Sequence, residues 1–302
     1  MESGLIFDIK RYSINDGPGI RVTVFFKGCS LRCAWCHNPE SISFKTHKMY
    51  SSNKCIGCCA CVDNCSEFAC TLTKDGIITD KSKCKLCLKC AEVCPTTATE
   101  ISGRTETTAN ILNILQKETV FMDSSGGGVT FSGGEPLLQP KFLFELLEQC
   151  GKRAIHRAVD TAGFIKTELL LECAKRADLF LYDLKMMDTY LHKKWTGVGN
   201  ELILSNLKAL AENGSQINIR IPLIAAVNDS EQNIDASAKF ISSLAGEKKK
   251  VNILPYHNIA KQKYAKLGIF YNSQNLQEPS QNEMQRIVNH FAAYGIEASA
   301  GG

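Results

Sequence analysis

The sequence predicts an α/β fold, a partial barrel of six β/α units that is interrupted after its first strand by a small insert. Short apolar runs bounded by turn or polar residues alternate with helix-like segments over most of the 302 residues. Such alternation is typical of a parallel sheet whose right-handed crossovers carry helices on the outside. The insert is indicated by the cysteines, because 13 of the 15 lie between Cys29 and Cys94.

Six strands and five helices are assigned along the chain. The first strand is the β-branched run 20–26, and the others are 128–132, 158–161, 179–184, 217–221 and 251–255. Helix-like segments cover 139–151, 166–176, 200–213, 231–245 and 281–294. In the second helix Leu169, Leu170, Cys173 and Ala177 share one face. Six strands are fewer than the eight of a closed barrel, so we predict a TIM-like (β/α)6 barrel that stays open.

The segment 48–99 differs in composition from the rest of the chain. It is dense in cysteine and has no long apolar periodicity. Such a segment buries too little apolar area to fold alone, so it needs covalent or metal staples. We therefore predict a barrel domain formed by 1–47 and 100–302, and an insert domain formed by 48–99.

The composition excludes several classes of protein. A net charge of +4 and the lack of a long Lys/Arg block argue against a nucleic-acid partner. No apolar run approaches the ~18–20 residues of a membrane-spanning helix, and the N-terminus has no signal-peptide pattern. We therefore expect a cytoplasmic protein with no membrane partner. In a reducing compartment, clustered cysteines are metal ligands more often than disulfides.

Polar residues follow each predicted strand, where the ligand sites of such folds gather. They are Cys29, the turn Ser132-Gly133-Gly134-Glu135-Pro136, Asp160 with Thr161, Asp183-Leu184-Lys185, Arg220-Ile221-Pro222 and Tyr256-His257-Asn258. Six strand ends therefore direct polar groups towards one rim, and we predict the functional site there.

The first cysteine group has the spacing of an open metal cluster. Cys29, Cys33 and Cys36 form Cys-x3-Cys-x2-Cys, and no further cysteine occurs before Cys55. Three thiolates on a tight loop can hold three irons of a 4Fe–4S cube and leave the fourth iron free for substrate. Catalytic zinc sites likewise keep one coordination position open, whereas structural zinc sites are closed by protein ligands. A zinc site with a distant fourth ligand, or three unrelated thiols, is the alternative.

Two cysteine runs in the insert each match the bacterial ferredoxin pattern, in which the fourth cysteine ligates the other cluster. That rule assigns Cys55, Cys58, Cys61 and Cys94 to one 4Fe–4S cluster, and Cys65, Cys84, Cys87 and Cys90 to another. The first run departs from the pattern, with Ser66 in place of proline and an extra Cys59. Paired zinc ribbons are the alternative. Of the other cysteines, Cys70 is unassigned, and Cys150 and Cys173 fit small core positions on helices.

The loop that carries Cys29, Cys33 and Cys36, with Trp35 before the third cysteine, resembles the radical SAM superfamily. The stretch Asp-Gly-Pro-Gly-Ile-Arg at 16–21 and the stretch Trp-Cys-His-Asn-Pro-Glu at 35–40 resemble the activating enzymes of glycyl radical enzymes. The insert is similar to that of the subgroup acting on dehydratases, decarboxylases and lyases beyond pyruvate formate-lyase. The resemblance covers essentially the whole chain. It implies a radical SAM barrel with an inserted bacterial-ferredoxin-like domain that holds two 4Fe–4S clusters.

The resemblance also implies roles for side chains at the rim. The open iron of the first cluster would chelate the amino and carboxylate groups of S-adenosylmethionine, the cosubstrate. The residues implied in binding it are Trp35, Cys36, His37, Gly133, Gly134, Glu135, Asp183, Leu184, Lys185, Arg220 and His257. Glu135 suits the ammonium group, and Lys185 and Arg220 suit the carboxylate. In a relative, the positions that match Asp160, Thr161 and Asp183 hold a monovalent cation.

The implied activity is that of an oxidoreductase that cleaves S-adenosylmethionine reductively to a 5′-deoxyadenosyl radical. This radical would abstract a hydrogen from a backbone glycine of a partner glycyl radical enzyme, with no residue acting as acid or base. A flavodoxin or ferredoxin would donate the electron. Two alternatives stay open. One is a radical SAM enzyme that acts on a small molecule or peptide with auxiliary clusters, and the other is a ferredoxin-type electron-transfer protein.

Overall fold

The computed structural model describes residues 1–247, 249–271 and 276–301. The strands are β1 (Ser3–Ser13), β2 (Arg21–Phe26), β3 (His47–Tyr50), β4 (Cys70–Thr73), β5 (Gly76–Thr79), β6 (Thr99–Ser102), β7 (Arg104–Thr107), β8 (Gly128–Gly133), β9 (His156–Thr161), β10 (Leu179–Asp183), β11 (Ile217–Leu223), β12 (Lys250–Pro255) and β13 (Glu297–Ala300). The helices are α1 (Ala60–Asp63), α2 (Lys89–Glu92), α3 (Thr108–Lys117), α4 (Thr119–Ser125), α5 (Pro140–Gly151), α6 (Thr167–Ala174), α7 (Thr189–Thr196), α8 (Glu201–Glu212), α9 (Glu231–Ser242), α10 (Lys261–Leu267) and α11 (Gln281–Ala293).

One nine-stranded sheet forms the centre of the molecule, in the order β13-β12-β11-β10-β9-β8-β2-β1-β7. Its six consecutive strands from β2 to β12 are the six that the sequence predicts. Every pairing from β2 to β13 is parallel. No pairing joins β7 to β13 in the part of the chain that the structure describes, so the sheet is open. The predicted α/β fold with a central parallel sheet is confirmed.

The register of the sheet brings the strand ends together. Phe26 at the end of β2 pairs with Gly133 at the end of β8, and Asp183 of β10 pairs with Arg220 of β11. The chain therefore leaves these four strands at the same edge. That edge carries the polar residues described below.

Three strands of the large sheet are not predicted from the sequence. β1 and β7 extend it in antiparallel fashion beyond β2, and β13 adds a parallel strand at the opposite end. The apolar residues of β1 are interrupted by Asp8, Lys10 and Arg11, which are exposed, whereas Ile6 is buried. A half-exposed strand with this pattern has no strong local signal, because its pairing with β2 is a long-range contact.

The helices bury apolar stripes against the sheet. In α5, the side chains of Phe142, Leu143, Leu146 and Leu147 are buried at helical spacing, and Cys150 completes the stripe. Cys173 of α6 is also buried in the same core, as predicted for both cysteines. α3, α4, α7 and α10 lie outside the predicted helices. In the described ranges, no helix is both long and apolar enough to cross a bilayer.

The cysteine-rich segment has two small antiparallel sheets, β3 with β6 and β4 with β5. Short helices α1 and α2 follow residues with left-handed backbone, Cys59 and Leu88. β3 starts at His47, whose Nδ1 lies 3.2 Å from Nζ of Lys27 just after β2. On the other side, Nζ of Lys266 in α10 lies 3.4 Å from a carboxylate oxygen of Glu100. The predicted domain limits of 48 and 99 stay a prediction.

Candidate functional site

A loop after β2 carries the first three cysteines along one wall of a large cavity that opens to solvent. The loop is held by backbone hydrogen bonds at its start and in its middle. Gly28 N donates to Ser41 O at 2.6 Å, and Arg32 N donates to Thr196 O at the end of α7 at 2.7 Å. Cys29, Cys33 and Cys36 all line the cavity. Among the described residues that line it, these are the only three cysteines.

The protonation of these thiols bears on what they can bind. Burial raises the pKa of Cys33 to about 11 and that of Cys36 to about 12, and it also raises the pKa of Cys29. Without a metal the three groups are therefore neutral thiols at pH 7. A metal that binds them must displace their protons, because the thiolate is the ligand. Three half-buried thiols on one wall, with no fourth cysteine among the described lining residues, fit an iron–sulfur cube that keeps one iron open.

Opposite charges at the ends of three strands form a buried network on the floor of the cavity. Nζ of Lys185 lies 2.6 Å from Oδ2 of Asp183, and Nε of Arg220 lies 3.2 Å from Oδ1 of the same carboxylate. Arg220 also donates through Nη2 to Asp160, which accepts a 2.5 Å hydrogen bond from the hydroxyl of Ser132. Burial opposes ionisation here, yet the neighbouring cations Lys185 and Arg220 hold the pKa of Asp183 below its usual range.

A glycine pair allows β8 to end against the cysteine loop. Gly133 has φ of +110°, which disfavours a side chain. A Cβ on Gly134 would lie 2.1 Å from the carbonyl oxygen of Gly28, so only glycine fits this contact. Glu135 N donates to the same carbonyl at 2.7 Å. The turn therefore fixes the cavity wall relative to the loop that carries Cys29.

Most of the predicted site residues are brought together. Those that line the cavity are Cys29, Cys33, Trp35, Cys36, His37, Gly133, Gly134, Asp160, Asp183, Lys185 and Arg220. Glu135, Thr161, Leu184 and His257 are not among the lining residues. Their implied roles, like those of the lining residues, stay predictions.

Glu135 points into the protein rather than into the cavity. Its Oε2 accepts from the hydroxyl of Thr161 at 2.8 Å and from Ala162 N at 3.2 Å. Burial raises the pKa of Glu135 to about 7. Leu184 is buried in the main core, and the side chain of His257 is 50% exposed, with Nδ1 3.9 Å from a carboxylate oxygen of Glu278.

Two polar residues that the sequence argument leaves without a role also line the cavity. Oδ2 of Asp16 accepts from the hydroxyl of Thr23 at 2.7 Å. Tyr256 is buried, its hydroxyl lies 2.7 Å from that of Tyr271, and its ring centroid lies 6.1 Å from that of His37. Asp16 lies in the Asp-Gly-Pro-Gly stretch and Tyr256 directly follows β12, so both positions carried a signal.

The insert cysteines surround two further small pockets. One is lined by Cys65, Cys70, Cys84, Cys87 and Cys90, and the other by Cys55, Cys58, Cys59, Cys61 and Cys94. Each cavity thus gathers one of the two crossed four-cysteine sets and one extra thiol. No group of His, Cys, Asp or Glu in the described ranges is arranged to hold a single metal ion. The cysteines of a 4Fe–4S cube bind different irons, so they need not converge on one point.

Comparison with known proteins agrees with this geometry. The family model described as the radical SAM superfamily matches residues 23–236. The trans-4-hydroxy-L-proline dehydratase activating enzyme of Clostridioides difficile is 41% identical over 99% of both chains. The choline trimethylamine-lyase activating enzyme of Oleidesulfovibrio alaskensis is 38% identical over 98% of this chain and 97% of its own.

A solved structure is also similar to this chain. The crystal structure of a domain of pyruvate-formate lyase-activating enzyme from Bacteroides vulgatus is 41% identical, with a TM-score of 0.51, over 58% of this chain and 99% of its own. Members of the radical SAM superfamily use S-adenosylmethionine and a 4Fe–4S cluster, and the activating enzymes act on a glycyl radical enzyme. The chain therefore belongs to the radical SAM superfamily and, within it, to the activating enzymes of glycyl radical enzymes.

Proposed function

We propose that this activating enzyme abstracts a hydrogen atom from the Cα of a backbone glycine in its partner. The observation that carries the proposal is a single cavity in which Cys29, Cys33 and Cys36 face the ionic network at the strand ends. When bound, the cluster and cosubstrate supply a one-electron cleavage whose 5′-deoxyadenosyl radical takes the hydrogen, leaving methionine, 5′-deoxyadenosine and a glycyl radical.

The chain's own residues bind and orient the cosubstrate. The three cysteines would hold three irons, and Lys185 and Arg220 would offset the methionine carboxylate. Trp35 and His37 line the cavity beside the cysteines, where we place the adenine. A monovalent cation at Asp160, Thr161 and Asp183 is also proposed. It would compete with Arg220, which already bonds both aspartates.

Glycine suits this reaction because it has no side chain to block the approach of the partner loop. Close alignment of the two reacting carbons supplies most of what the protein can contribute, so a closely fitting cavity is more useful than an acid or base. The opening of the cavity to solvent provides a path for such a loop.

The insert, which we place at residues 48–99, is proposed to hold two more 4Fe–4S clusters that relay electrons. The crossed cysteine sets line two separate cavities, and the contact of Lys27 with His47 joins β3 to the loop after β2. A flavodoxin or ferredoxin would reduce the insert, and the insert would reduce the first cluster.

Activation is tested by anaerobic incubation with candidate partner enzymes, S-adenosylmethionine and a reductant. The expected result is a glycyl radical doublet in electron paramagnetic resonance with one partner. A C29A/C33A/C36A variant should lose a third of about twelve irons and all cosubstrate cleavage. No doublet with any partner, from protein that still cleaves S-adenosylmethionine, would contradict the glycine as substrate.

The relay is tested with a variant that lacks Cys55, Cys58 and Cys61. It should keep the first cluster but reduce it slowly with a protein donor. A strong small-molecule reductant, which reaches the open cluster directly, should partly restore the rate. Equal impairment with both reductants would reject the relay.

A further inference from the structure

The two cysteine-lined cavities of the insert differ in charge, because Lys48, Glu67, Lys85 and Lys89 line one and no charged residue is described in the lining of the other. Of the three lysines, Lys85 pairs with Glu67 and Lys89 is exposed, whereas Lys48 is half-buried. Lys48 of β3 lines the cavity of Cys65, Cys84, Cys87 and Cys90. Its Nζ donates to Sγ of Cys70 at 3.3 Å and to the hydroxyl of Thr79 at 2.8 Å. Cys90, one of the four assigned ligands, lines the same cavity. The ammonium group is thus held against the sulfur atoms of this cavity by β4 and β5.

The other cavity receives an uncharged side chain from the same strand. Tyr50, two residues further along β3, lines the cavity of Cys55, Cys58, Cys61 and Cys94. Its hydroxyl accepts from Ile77 N at 2.9 Å, and Cys55 lines the same cavity. None of the described residues that line this cavity is charged. β3 therefore presents a cation to one cysteine set and a neutral phenol to the other.

Lys48 has no carboxylate to balance its charge within the described ranges. Glu67, the carboxylate that lines the same cavity, is paired with Lys85 at 2.7 Å. A partly buried ammonium group without a counter-ion is costly, and such charges are normally paired. A 4Fe–4S cube with four thiolate ligands carries net negative charge and would supply the missing partner.

We propose that Lys48 raises the reduction potential of the cluster at Cys65, Cys84, Cys87 and Cys90 above that of the other insert cluster, an inference that rests on the proposed function. Reduction adds one negative charge to a cluster, so a nearby ammonium group stabilises the reduced form more than the oxidised form. Hydrogen bonds to cluster sulfurs act in the same direction. The first electron to enter the insert therefore resides on this cluster.

The position of Lys48 along β3 indicates the direction in which electrons would move through the insert. β3 contacts the loop after β2 through His47, the residue before Lys48, whereas Tyr50 lies about 7 Å further along the strand. The cluster beside Lys48 is thus nearer along β3 to the joint with the barrel. Electrons would enter at the Tyr50 end and collect at the Lys48 end, the end of β3 that contacts the barrel through His47.

The test is a redox titration of the full chain with all three clusters, followed by electron paramagnetic resonance, in wild type, Lys48→Met and Lys48→Arg. Iron is counted first in each protein. In Lys48→Met the higher of the two insert potentials should fall by at least ~59 mV, a tenfold change in the equilibrium constant for reduction. Lys48→Arg keeps the charge and should stay near wild type. If Lys48→Met takes up less iron, Lys48→Gln provides the same comparison.

The iron content and the two insert potentials separately test the presence of the insert clusters and the role of Lys48. About twelve irons with both insert potentials unchanged in the neutral variants would overturn the role of Lys48 alone. A fall in the lower potential only would also overturn it. About four irons in wild type would instead overturn the proposed insert clusters, on which this inference depends.

Discussion

Glu135 gives the stability of this enzyme a specific dependence on pH. Burial raises its pKa from 4.5 to about 7, although three donors, including Thr161 and Ala162, partly offset the shift. Between these two pH values the unfolded chain has released the proton while the native protein still holds it. The free energy of unfolding therefore falls as the pH rises from 4.5 to 7. At about 1.4 kcal/mol per pH unit, the loss is about 3 kcal/mol.

The variant Glu135→Gln removes this titration. Its free energy of unfolding, measured relative to wild type, should increase by about 3 kcal/mol between pH 4.5 and pH 8, so the variant gains stability relative to wild type. The assay is anaerobic urea unfolding at a series of pH values without S-adenosylmethionine. Any constant cost of the new amide beside Thr161 cancels, because only the change with pH is compared.

A control of opposite sign is available on α6. Lys175 and Arg176 donate to the carboxylate of Glu172 and lower its pKa. Glu172→Gln should therefore lose stability relative to wild type as the pH rises, instead of gaining it. If the stability of Glu135→Gln runs parallel to that of wild type across this range, Glu135 is not buried as an unpaired acid and the reasoning fails.

Other variants test the cavity and the core. Lys185→Met should weaken binding of S-adenosylmethionine about 10- to 100-fold in equilibrium dialysis, because one charged hydrogen bond is lost, while the iron content stays unchanged. Lys239→Met on α9 is the control. Equal affinity of the two variants for S-adenosylmethionine would show that Lys185 does not lie in the binding pocket. His257→Ala should have a smaller effect, because its half-exposed side chain does not line the cavity. Leu146→Ala should cost about 2–5 kcal/mol of unfolding free energy, and a cost below 1 kcal/mol would contradict its complete burial.

The parts of the fold predicted from the sequence are those with a local signal. β10 is a short apolar run and β11 alternates apolar and polar residues, and both patterns predict strands. Their common direction implies that Asp183 and Arg220 lie towards one edge of the sheet. β1 and β13 have no such signal, because they are strands only through their partners. Element type can therefore be predicted for the centre of the sheet, but not for its margins.

In the candidate site the limit of sequence reasoning is orientation. The residues at 133–135 were assigned together, yet the glycines line the cavity while Glu135 turns away to bond Thr161. The direction of a side chain after a turn depends on tertiary contacts that no spacing records. Lys48 was missed for a related reason. It belongs to no motif, and only the pairing of β3 and β6 brings it to the cysteines.

The backbone bonds that hold the cysteine loop have a consequence for biosynthesis. Trp195 and Thr196 accept from Ala34 and Arg32, so the loop acquires these two anchors only after α7 has been translated, whereas its bond to Ser41 is local. From Cys36 to Thr196 is 196 − 36 = 160 residues, or roughly 10–30 s at typical bacterial elongation rates. The insert, in contrast, has all its assigned ligands by Cys94. On a nascent chain the assigned cysteines of the insert are therefore complete before the loop of Cys29, Cys33 and Cys36 gains its contacts with α7.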